Sequence, residues 1–183
     1  MRIYGNRQLK TLSGQNTRPT SARVREALFN IWQGNITGCC WLDLCAGNGS
    51  MGAEALCRGA KEAIAIEQNP KACQIIKQNW QQVATSEQIW QVIRGDVRIK
   101  LKSLQSRQFA PIYFDPPYAS GLYESVLMTI SQLDLLAADG EIAVEHDPKQ
   151  WQAKSVDKLQ IYRQKVYGNT ALTFYRLGEL SIL

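Results

Sequence analysis

The sequence lacks the residues from which metal sites and disulfide frameworks are usually built. It contains a single histidine, His146, and no C-x-x-C pair, which argues against a zinc site. The odd number of cysteines in a chain without secretory features argues against a disulfide framework. We predict that no metal is bound and that the cysteines are small core residues without a chemical role. We also predict that His146 is a loop residue of no chemical importance, which follows the fifth predicted strand (residues 141–145). The five cysteines are Cys39, Cys40, Cys45, Cys57 and Cys73.

Long apolar runs are also missing. No segment approaches the length needed to cross a bilayer, and the first residues lack the apolar stretch of a signal peptide. With 183 residues, of which 45% are hydrophobic and 20% charged, the composition is typical of one soluble globular domain. We therefore expect a single domain over residues 1–183 that is monomeric and cytoplasmic.

Acidic residues are absent from the first 25 positions. That segment holds six basic side chains, whereas the remaining residues hold 15 basic and 16 acidic ones, so the net charge of +5 resides in the N-terminal arm. Such a segment is typical of contacts with nucleic-acid phosphates, although a solvated basic tail without a partner remains an alternative. The predicted RNA contacts are Arg2, Arg7, Lys10, Arg18 and Arg23, and the arm itself is predicted to cover residues 1–19.

A helix is predicted over residues 20–32, with the Thr20 hydroxyl as its N-cap. Its apolar side chains recur at helical spacing and are expected to face the core. Arg23 and Arg25 lie off this stripe and are expected to point away from it. The apolar positions are Val24, Ala27, Leu28 and Ile31.

From residue 39 onwards, short apolar strands alternate with helices. Continuous apolar strands separated by helices predict a mostly parallel sheet with helices on both faces. The last two strands flank Gly168-Asn169, which favours an antiparallel hairpin. This α/β plan, with a seven-stranded sheet in a core over residues 39–183, is typical of the Rossmann-like class I methyltransferases that use S-adenosylmethionine. The predicted strands cover residues 40–45, 63–66, 89–93, 111–114, 141–145, 158–167 and 170–177, and later helices cover residues 97–104 and 122–136.

The segment Gly47-Asn48-Gly49-Ser50-Met51-Gly52 follows the first of these strands and matches G-x-G-x-x-G. Glu67, at the end of the next strand, can accept hydrogen bonds from both hydroxyls of an adenosine ribose. These features suit NAD and S-adenosylmethionine alike, because both ligands carry adenosine. Asp43 separates them, since a carboxylate at this strand end disfavours a pyrophosphate and suits an ammonium and a sulfonium. A purely structural acid there remains an alternative.

A third acid, Asp96, comes at the end of the third strand. Its carboxylate can accept a hydrogen bond from the adenine amino group of the cofactor. The predicted cofactor contacts are Thr20, Asp43, Ala46, Gly47, Asn48, Gly49, Glu67, Gln68, Asp96 and Val97.

The fourth strand ends in D-P-P-Y, at Asp115, Pro116, Pro117 and Tyr118. Two prolines stop the strand ladder and fix the chain at the edge of the sheet where such folds bind ligands. The Asp115 carboxylate and the Pro116 carbonyl can accept hydrogens from an exocyclic base amine, and Tyr118 can stack on the base. These four residues are predicted to form the reaction centre of a base-amine methyltransferase.

Together these motifs resemble the RsmD-type family of bacterial 16S rRNA guanine-N2 methyltransferases over nearly the whole chain. The most specific part is R-P-T with R-V-R-E-x-L-F-N over residues 18–30. The resemblance implies N2 methylation of a guanine in small-subunit rRNA or in the assembling subunit, with an arm and first helix that help to place RNA and close over the cofactor. Asn48 and a shortened arm depart from the family pattern. Further matching segments are Arg2-Ile3, Gly5, Leu42-Asp43, Cys45-Ala46-Gly47-Asn48-Gly49, Gly52, Glu54-Ala55-Leu56, Arg58-Gly59-Ala60, Gly121-Leu122-Tyr123, Glu145 and Lys165-Val166-Tyr167-Gly168-Asn169-Thr170.

Three other functions stay open from the residues alone. D-P-P-Y does not read the base, so an adenine-N6 or cytosine-N4 methyltransferase acting on DNA or another RNA is the main alternative. A nicotinamide-dependent oxidoreductase would need His146 for proton transfer, because it is the one histidine in the chain. A catalytically inactive rRNA-binding factor would not need Asp43, Glu67 and D-P-P-Y intact.

Overall fold

The computed structural model describes residues 1–12 and 21–178. Two residues with predicted roles, Arg18 and Thr20, lie outside these described residues. Within the described ranges, no helix has both the length and the apolar character that a membrane crossing requires.

A seven-stranded sheet forms the centre of the protein, in the order β5-β4-β3-β6-β7-β9-β8. Strands β3 to β7 run parallel, whereas β9 runs antiparallel to both of its neighbours. The predicted α/β Rossmann-like fold class is therefore confirmed, including the closing hairpin. The strands of this sheet are β3 (Cys40–Leu44), β4 (Glu62–Glu67), β5 (Ile89–Arg94), β6 (Ile112–Phe114), β7 (Ile142–His146), β8 (Leu159–Tyr167) and β9 (Thr170–Leu177), and the arm adds a small antiparallel pair, β1 (Arg2–Ile3) and β2 (Arg7–Gln8).

Helices cover both faces of the sheet. Side chains alternate along each strand, so Trp41 and Tyr113 join the core under the first three helices, while Leu42 and Phe114 join the core under the last two. Because both faces of the sheet are covered, the central strands β3, β4, β6 and β7 are buried and mostly apolar, as the sequence pattern predicted. The helices are α1 (Ala22–Ile31), α2 (Ser50–Cys57), α3 (Pro70–Val83), α4 (Val97–Lys100) and α5 (Tyr123–Gln132).

The outermost strand on one side of the sheet is β8. Its register against β9 shifts between Ile161 and Arg163, which marks a β-bulge. Beyond the bulge, Arg163, Lys165 and Val166 are exposed. This edge of the sheet is therefore irregular and basic.

The first helix differs from its prediction at two positions. The N-cap is Ser21, whose hydroxyl oxygen accepts a hydrogen bond from the Val24 amide at 3.2 Å. The prediction of Thr20 as the cap was therefore wrong by one residue, because two adjacent hydroxyl residues offer the same capping signal. Arg25 was expected to lie off the buried stripe, but its side chain is only 7% exposed and pairs with Glu54 at 2.6 Å. The arm closes over this pair, since Arg25 also donates to the Arg2 carbonyl at 2.7 Å.

Three further corrections concern segment ends. The predicted helix over residues 122–136 ends at Gln132, and that over residues 97–104 becomes a 3-10 helix, Leu101–Leu104, after its first turn. His146 is the last residue of β7 and is fully buried, not a loop residue. Its Nε2 lies 2.8 Å from the Thr173 hydroxyl, so its place is explained by packing within the sheet.

Candidate active site

A cleft of about 680 Å³ opens at the carboxyl ends of the parallel strands. It lies where the strand order reverses, between β3 and β6, which is the usual ligand site of open α/β sheets. Among the described residues, every predicted cofactor-binding and catalytic residue lines this cleft with the exception of Gly49. Thr20 lies outside the described residues. The lining predicted residues are Asp43, Ala46, Gly47, Asn48, Glu67, Gln68, Asp96, Val97, Asp115, Pro116, Pro117 and Tyr118.

Glu67 holds the glycine loop in place. One carboxylate oxygen accepts from the Gly47 amide at 2.9 Å and the other from the Asn69 amide at 2.8 Å. Gly47 and Gly49 adopt φ angles of 59° and 71°, which side chains rarely tolerate. A carboxylate offers about four acceptor positions, so Glu67 can still serve the predicted ribose hydroxyls while it orders the loop. Gly49 faces away from the cleft, towards Ile76.

The loop rests on Trp80 of α3. The Trp80 indole nitrogen donates to the Gly49 carbonyl at 2.8 Å, and the whole side chain is buried. A Cβ atom at Gly52 would lie 2.2 Å from Trp80 Cζ2, a distance at which the indole or the Gly52 backbone must move. The glycine pattern of this loop therefore serves helix packing as much as ligand approach.

Gly52→Ala should destabilise the protein by about 1–3 kcal/mol, because overpacking a rigid, buried indole displaces its neighbours. Chemical denaturation measures the free energy of unfolding directly. Gly34→Ala is the matched control, since a Cβ at Gly34 meets nothing within 4 Å and the change should stay within about 0.5 kcal/mol. Equal stability of Gly52→Ala and the wild type would contradict this packing account.

Asp43 is a buried carboxyl group at the end of β3, 1% exposed. Its pKa is raised to about 8, chiefly by burial; the hydrogen bond from the Gly52 amide lowers the pKa and the nearby Glu67 carboxylate raises it. That amide donates to Asp43 Oδ2 at 3.1 Å from the first turn of α2. A cationic group placed beside Asp43 would favour its ionised form. The position thus suits a positively charged ligand.

Asp96 occupies the rim of the cleft and caps α4. Its carboxylate accepts from the Arg98 amide at 2.9 Å and pairs with the Arg98 guanidinium at 2.5 Å. Hydrogen bonds from Arg98 lower the pKa of Asp96, so it is an ionised acceptor at neutral pH. Arg98 is the single basic side chain on the cleft wall within the described residues, and Asp96 already pairs with it.

The D-P-P-Y segment leaves the sheet at the end of β6. The Asp115 amide donates to the Leu44 carbonyl of the neighbouring strand at 3.2 Å, which anchors the segment beside Asp43. Pro116 is buried, Asp115 and Tyr118 are half-buried, and Pro117 is exposed. The Tyr118 hydroxyl lies 3.1 Å from the Thr170 hydroxyl of β9, so the hairpin helps to fix the ring.

Sequence reasoning missed two cleft residues, Tyr113 and Glu145. The Tyr113 hydroxyl donates a hydrogen bond to Glu145 Oε2 across β6 and β7. Both side chains are buried and both line the cleft. A signal existed in the sequence, because Glu145 stands at the end of the fifth strand as Asp43 does at the end of the first. This signal could not be interpreted from the sequence, because the register of β6 against β7 was not known.

The basic arm lies against α3. Arg7 Nη1 lies 2.9 Å from Cys57 Sγ and donates to the Val83 carbonyl at 3.3 Å, while Lys10 Nζ donates to Gln78 Oε1 at 2.9 Å. Both basic side chains remain exposed. They lie on one side of the molecule and are available to a polyanion.

A buried asparagine connects this arm to the glycine loop. The Asn79 amide nitrogen donates to the carbonyls of Lys10 at 3.1 Å and Asn48 at 2.9 Å, and its oxygen accepts from the Lys10 amide. Beyond this clamp, Thr11 and Leu12 line the cleft. The arm therefore reaches the site at which the cofactor is predicted.

The other two predicted RNA contacts in the described residues lie apart from α3. Arg2 is exposed on β1, and Arg23 is exposed on α1. The Arg23 guanidinium lies 6.0 Å from the ring centroid of Tyr167, close to the tip of the β8–β9 hairpin.

No group of His, Cys, Asp or Glu side chains within residues 1–12 and 21–178 is arranged to hold a metal ion.

Known proteins share both the sequence and the fold. The sequence model of the family described as "Conserved hypothetical protein 95" matches residues 1–176. "Ribosomal RNA small subunit methyltransferase D" of Escherichia coli (strain K12) is 30% identical over 186 residues, which cover 96% of this chain and 89% of that protein. The chain belongs to this RsmD-type family.

Further relatives agree with this assignment. YlbH of Bacillus subtilis (strain 168) is 34% identical over 172 residues, which cover 93% of each chain. The solved structure of yhhF from Escherichia coli matches with a TM-score of 0.82 at 29% identity and covers 97% of each chain. The resemblance to the RsmD-type family that the motifs suggested is thus confirmed over nearly the full length.

The cleft suits the cofactor that the fold implies. Asp43, Glu67 and Asp96 give its wall an excess of acids, and the one basic group described there is paired. An ammonium and a sulfonium are favoured in such surroundings, whereas the pyrophosphate of NAD is disfavoured. The glycine loop adds a close backbone approach. These residues fit S-adenosylmethionine and argue against a nicotinamide enzyme.

Proposed function

We propose that this protein transfers a methyl group from S-adenosylmethionine to the exocyclic N2 amine of a guanine in 16S rRNA. The observation that carries the proposal is the position of D-P-P-Y beside the acid-walled cleft, within one continuous cavity. The substrate follows from the RsmD-type relatives, since the Escherichia coli protein is named a small-subunit rRNA methyltransferase. When bound, S-adenosylmethionine supplies an electrophilic methyl group.

The chemistry assigned to this chain begins with the amine. An exocyclic base amine is a weak nucleophile, because its lone pair is delocalised into the ring. The Asp115 carboxylate and the Pro116 carbonyl accept its hydrogens and stabilise the positive charge that develops on nitrogen. Tyr118, held by Thr170, stacks on the base and keeps the nitrogen in line. The new nitrogen–carbon bond would replace the bond between the methyl group and sulfur, so the products are the methylated base and S-adenosylhomocysteine, and the amine then releases one proton to solvent.

The remaining assignments are proposals of the same kind. Residues 1–183 act as one domain, with a basic arm over residues 1–19, the helix α1 (Ala22–Ile31) and a catalytic core over residues 39–183. The protein works as a monomer in the cytoplasm and acts on free rRNA or the assembling subunit. Size-exclusion chromatography with light scattering, with and without rRNA, measures the molar mass in solution and so tests whether the protein is a monomer.

Labelled cofactor distinguishes the candidate substrates. The protein is incubated with tritiated S-adenosylmethionine and with free rRNA, small ribosomal subunits or duplex DNA, and the products are digested to nucleosides. We expect label in N2-methylguanosine from rRNA or subunits. Label in N6-methyladenine or N4-methylcytosine would overturn the proposal, and no transfer to any substrate would favour an inactive binding factor.

The affinity for S-adenosylmethionine should rise with pH. In the cofactor-free protein burial raises the pKa of Asp43 to about 8, and a cationic ligand favours the ionised form, so binding releases a proton at lower pH. Between pH 6 and 7.5 the affinity should increase about 10- to 30-fold. Isothermal titration of wild type and Asp43→Asn measures the slope. A slope that persists in Asp43→Asn would refute the role of Asp43.

Replacing Arg7 and Lys10 by alanine should weaken rRNA binding and flatten its dependence on salt. Each phosphate contact that is lost lowers the slope of log K against log salt concentration by about 0.7–0.9. Filter binding over a range of salt concentrations provides the slope, and Lys102→Ala, an exposed lysine on the opposite face of the sheet, is the control. An unchanged slope in the double variant would show that the arm does not contact phosphate.

A further inference from the structure

Glu145 is a buried carboxylate without a role in the transfer step described above. It is the second-to-last residue of β7, is 4% exposed, and lines the same cleft as Asp115. The parallel register pairs Phe114 with Val144, and one more step of that register places Asp115 beside Glu145. Two carboxylates therefore stand next to each other where β6 and β7 end.

The strand order assigns these acids to different sides of the cleft. Asp43 and Glu67 lie near the carboxyl ends of β3 and β4, and Asp96 follows β5; these strands form one half of the sheet. Asp115 follows β6 and Glu145 lies near the carboxyl end of β7, on the other side of the switch point. If the first half holds the cofactor, Glu145 belongs to the half that receives the base.

Tyr113 fixes the position of the Glu145 carboxylate. Tyr113 pairs with Ala143 in the sheet, so its side chain emerges on the same face as Glu145, two residues further on. Its hydroxyl donates to Glu145 Oε2. Because a carboxylate has about four acceptor positions, this bond leaves capacity for the hydrogens of a substrate.

The nitrogen next to the reactive amine differs among the bases. In guanine the ring nitrogen N1 carries a hydrogen beside the N2 amine. In adenine and cytosine the ring nitrogen beside the exocyclic amine carries a lone pair and no hydrogen. A carboxylate attracts the N–H of guanine and repels the lone pair of the other two bases.

We propose that Glu145 is a specificity-determining residue that accepts the N1 hydrogen of guanine while Asp115 accepts a hydrogen of its N2 amine. The inference rests on the proposed function and extends it, because D-P-P-Y alone does not choose a base. Tyr113 is the positioning residue of this pair. Adenine and cytosine are excluded by a buried acceptor that they cannot satisfy.

A base analogue tests the proposal with the wild-type protein. The guanine that becomes methylated is first located, and that single residue is replaced by 2-aminopurine in ligated rRNA. This analogue keeps the 2-amino group but has a lone pair at N1. Single-turnover transfer should fall by about 100-fold or more, because a site built for a donor rejects its absence strongly. Equal rates for guanine and 2-aminopurine would overturn the proposal.

The variant Glu145→Gln should invert this preference. Its amide can donate to the N1 lone pair of 2-aminopurine, so transfer to guanine should fall about 100-fold while transfer to the analogue rises. Tyr113→Phe should lower the discrimination between the two bases without removing it. Glu141→Gln is the matched control, since Glu141 precedes the same strand and accepts a hydrogen bond from Trp32, which an amide oxygen can also accept.

Binding of S-adenosylmethionine separates a specific role from a folding defect. We expect the Glu145→Gln and Tyr113→Phe variants to bind the cofactor as tightly as the wild type. Guanine turnover by Glu145→Gln at the wild-type rate would overturn the role of Glu145. By contrast, if the wild type modifies adenine or cytosine and no guanine, the proposed function itself fails. Failure of the role of Glu145 would still give methylated guanine, whereas failure of the proposed function would give a methylated adenine or cytosine.

Discussion

Asp115→Ala is expected to reduce methyl transfer by about 100- to 1000-fold while cofactor affinity stays within a few-fold of the wild type. The carboxylate is one of two acceptors assigned to the amine hydrogens, and the loss of one such group from a preorganised site has this magnitude. Asp115 follows β6, one strand beyond the acids proposed to hold the cofactor. Single-turnover assays with tritiated S-adenosylmethionine and isothermal titration measure the two quantities.

Asp115→Asn is the isosteric control for this experiment. Asparagine keeps an acceptor oxygen but loses the negative charge, so its rate should lie between those of the wild type and Asp115→Ala. Turnover at the wild-type rate in Asp115→Ala would refute the catalytic role of Asp115. A loss of cofactor binding in both variants would place Asp115 in the cofactor site.

Glu54→Ala should give the largest loss of stability, about 3–5 kcal/mol. Glu54 pairs with Arg25 at 2.6 Å and with Arg58 at 2.8 Å, and the side chains of Glu54 and Arg25 are 5% and 7% exposed. Removal of the acid leaves a buried guanidinium without its anionic partner, which is far more costly than the loss of a surface pair. Chemical denaturation measures the free energy of unfolding.

The exposed pair between Lys154 and Glu124 is the matched control. Its side chains are 62% and 56% exposed, so Glu124→Ala should change stability by no more than about 1 kcal/mol. Glu54→Gln, which keeps an acceptor oxygen, should lie between the two alanine variants. A cost for Glu54→Ala as small as that of the surface pair would contradict the importance of the buried network.

The sheet and the first half of the site could be predicted from local patterns. Each of these features can be recognised from a short stretch of neighbouring residues. They are the continuous apolar strands, the turn at Gly168-Asn169 and the acids at strand ends. Because parallel strands end at one edge, their terminal residues had to converge there. The cleft accordingly contains Asp43, Glu67, Asp96 and Asp115 together.

The long-range pairs could not be predicted in the same way. Arg25 was expected to lie off the buried stripe, whereas it is buried through its pairing with Glu54, 29 positions away in the sequence. The partnership of Tyr113 with Glu145 spans 32 positions and depends on strand register. The choice of Ser21 over Thr20 as a cap reflects where the first helical turn closes. For the two pairs, packing between distant segments decides, and the spacing of residues along the chain does not reveal it.

The irregular basic edge at β8 has a consequence for solubility. A terminal strand with free backbone groups is a template for strands of other molecules, and sheets that expose such edges tend to aggregate. The bulge between Ile161 and Arg163 bends this template, while Arg163 and Lys165 bring like charges together if two copies approach edge to edge. The bulge and these charges therefore disfavour pairing of β8 with a strand of another molecule.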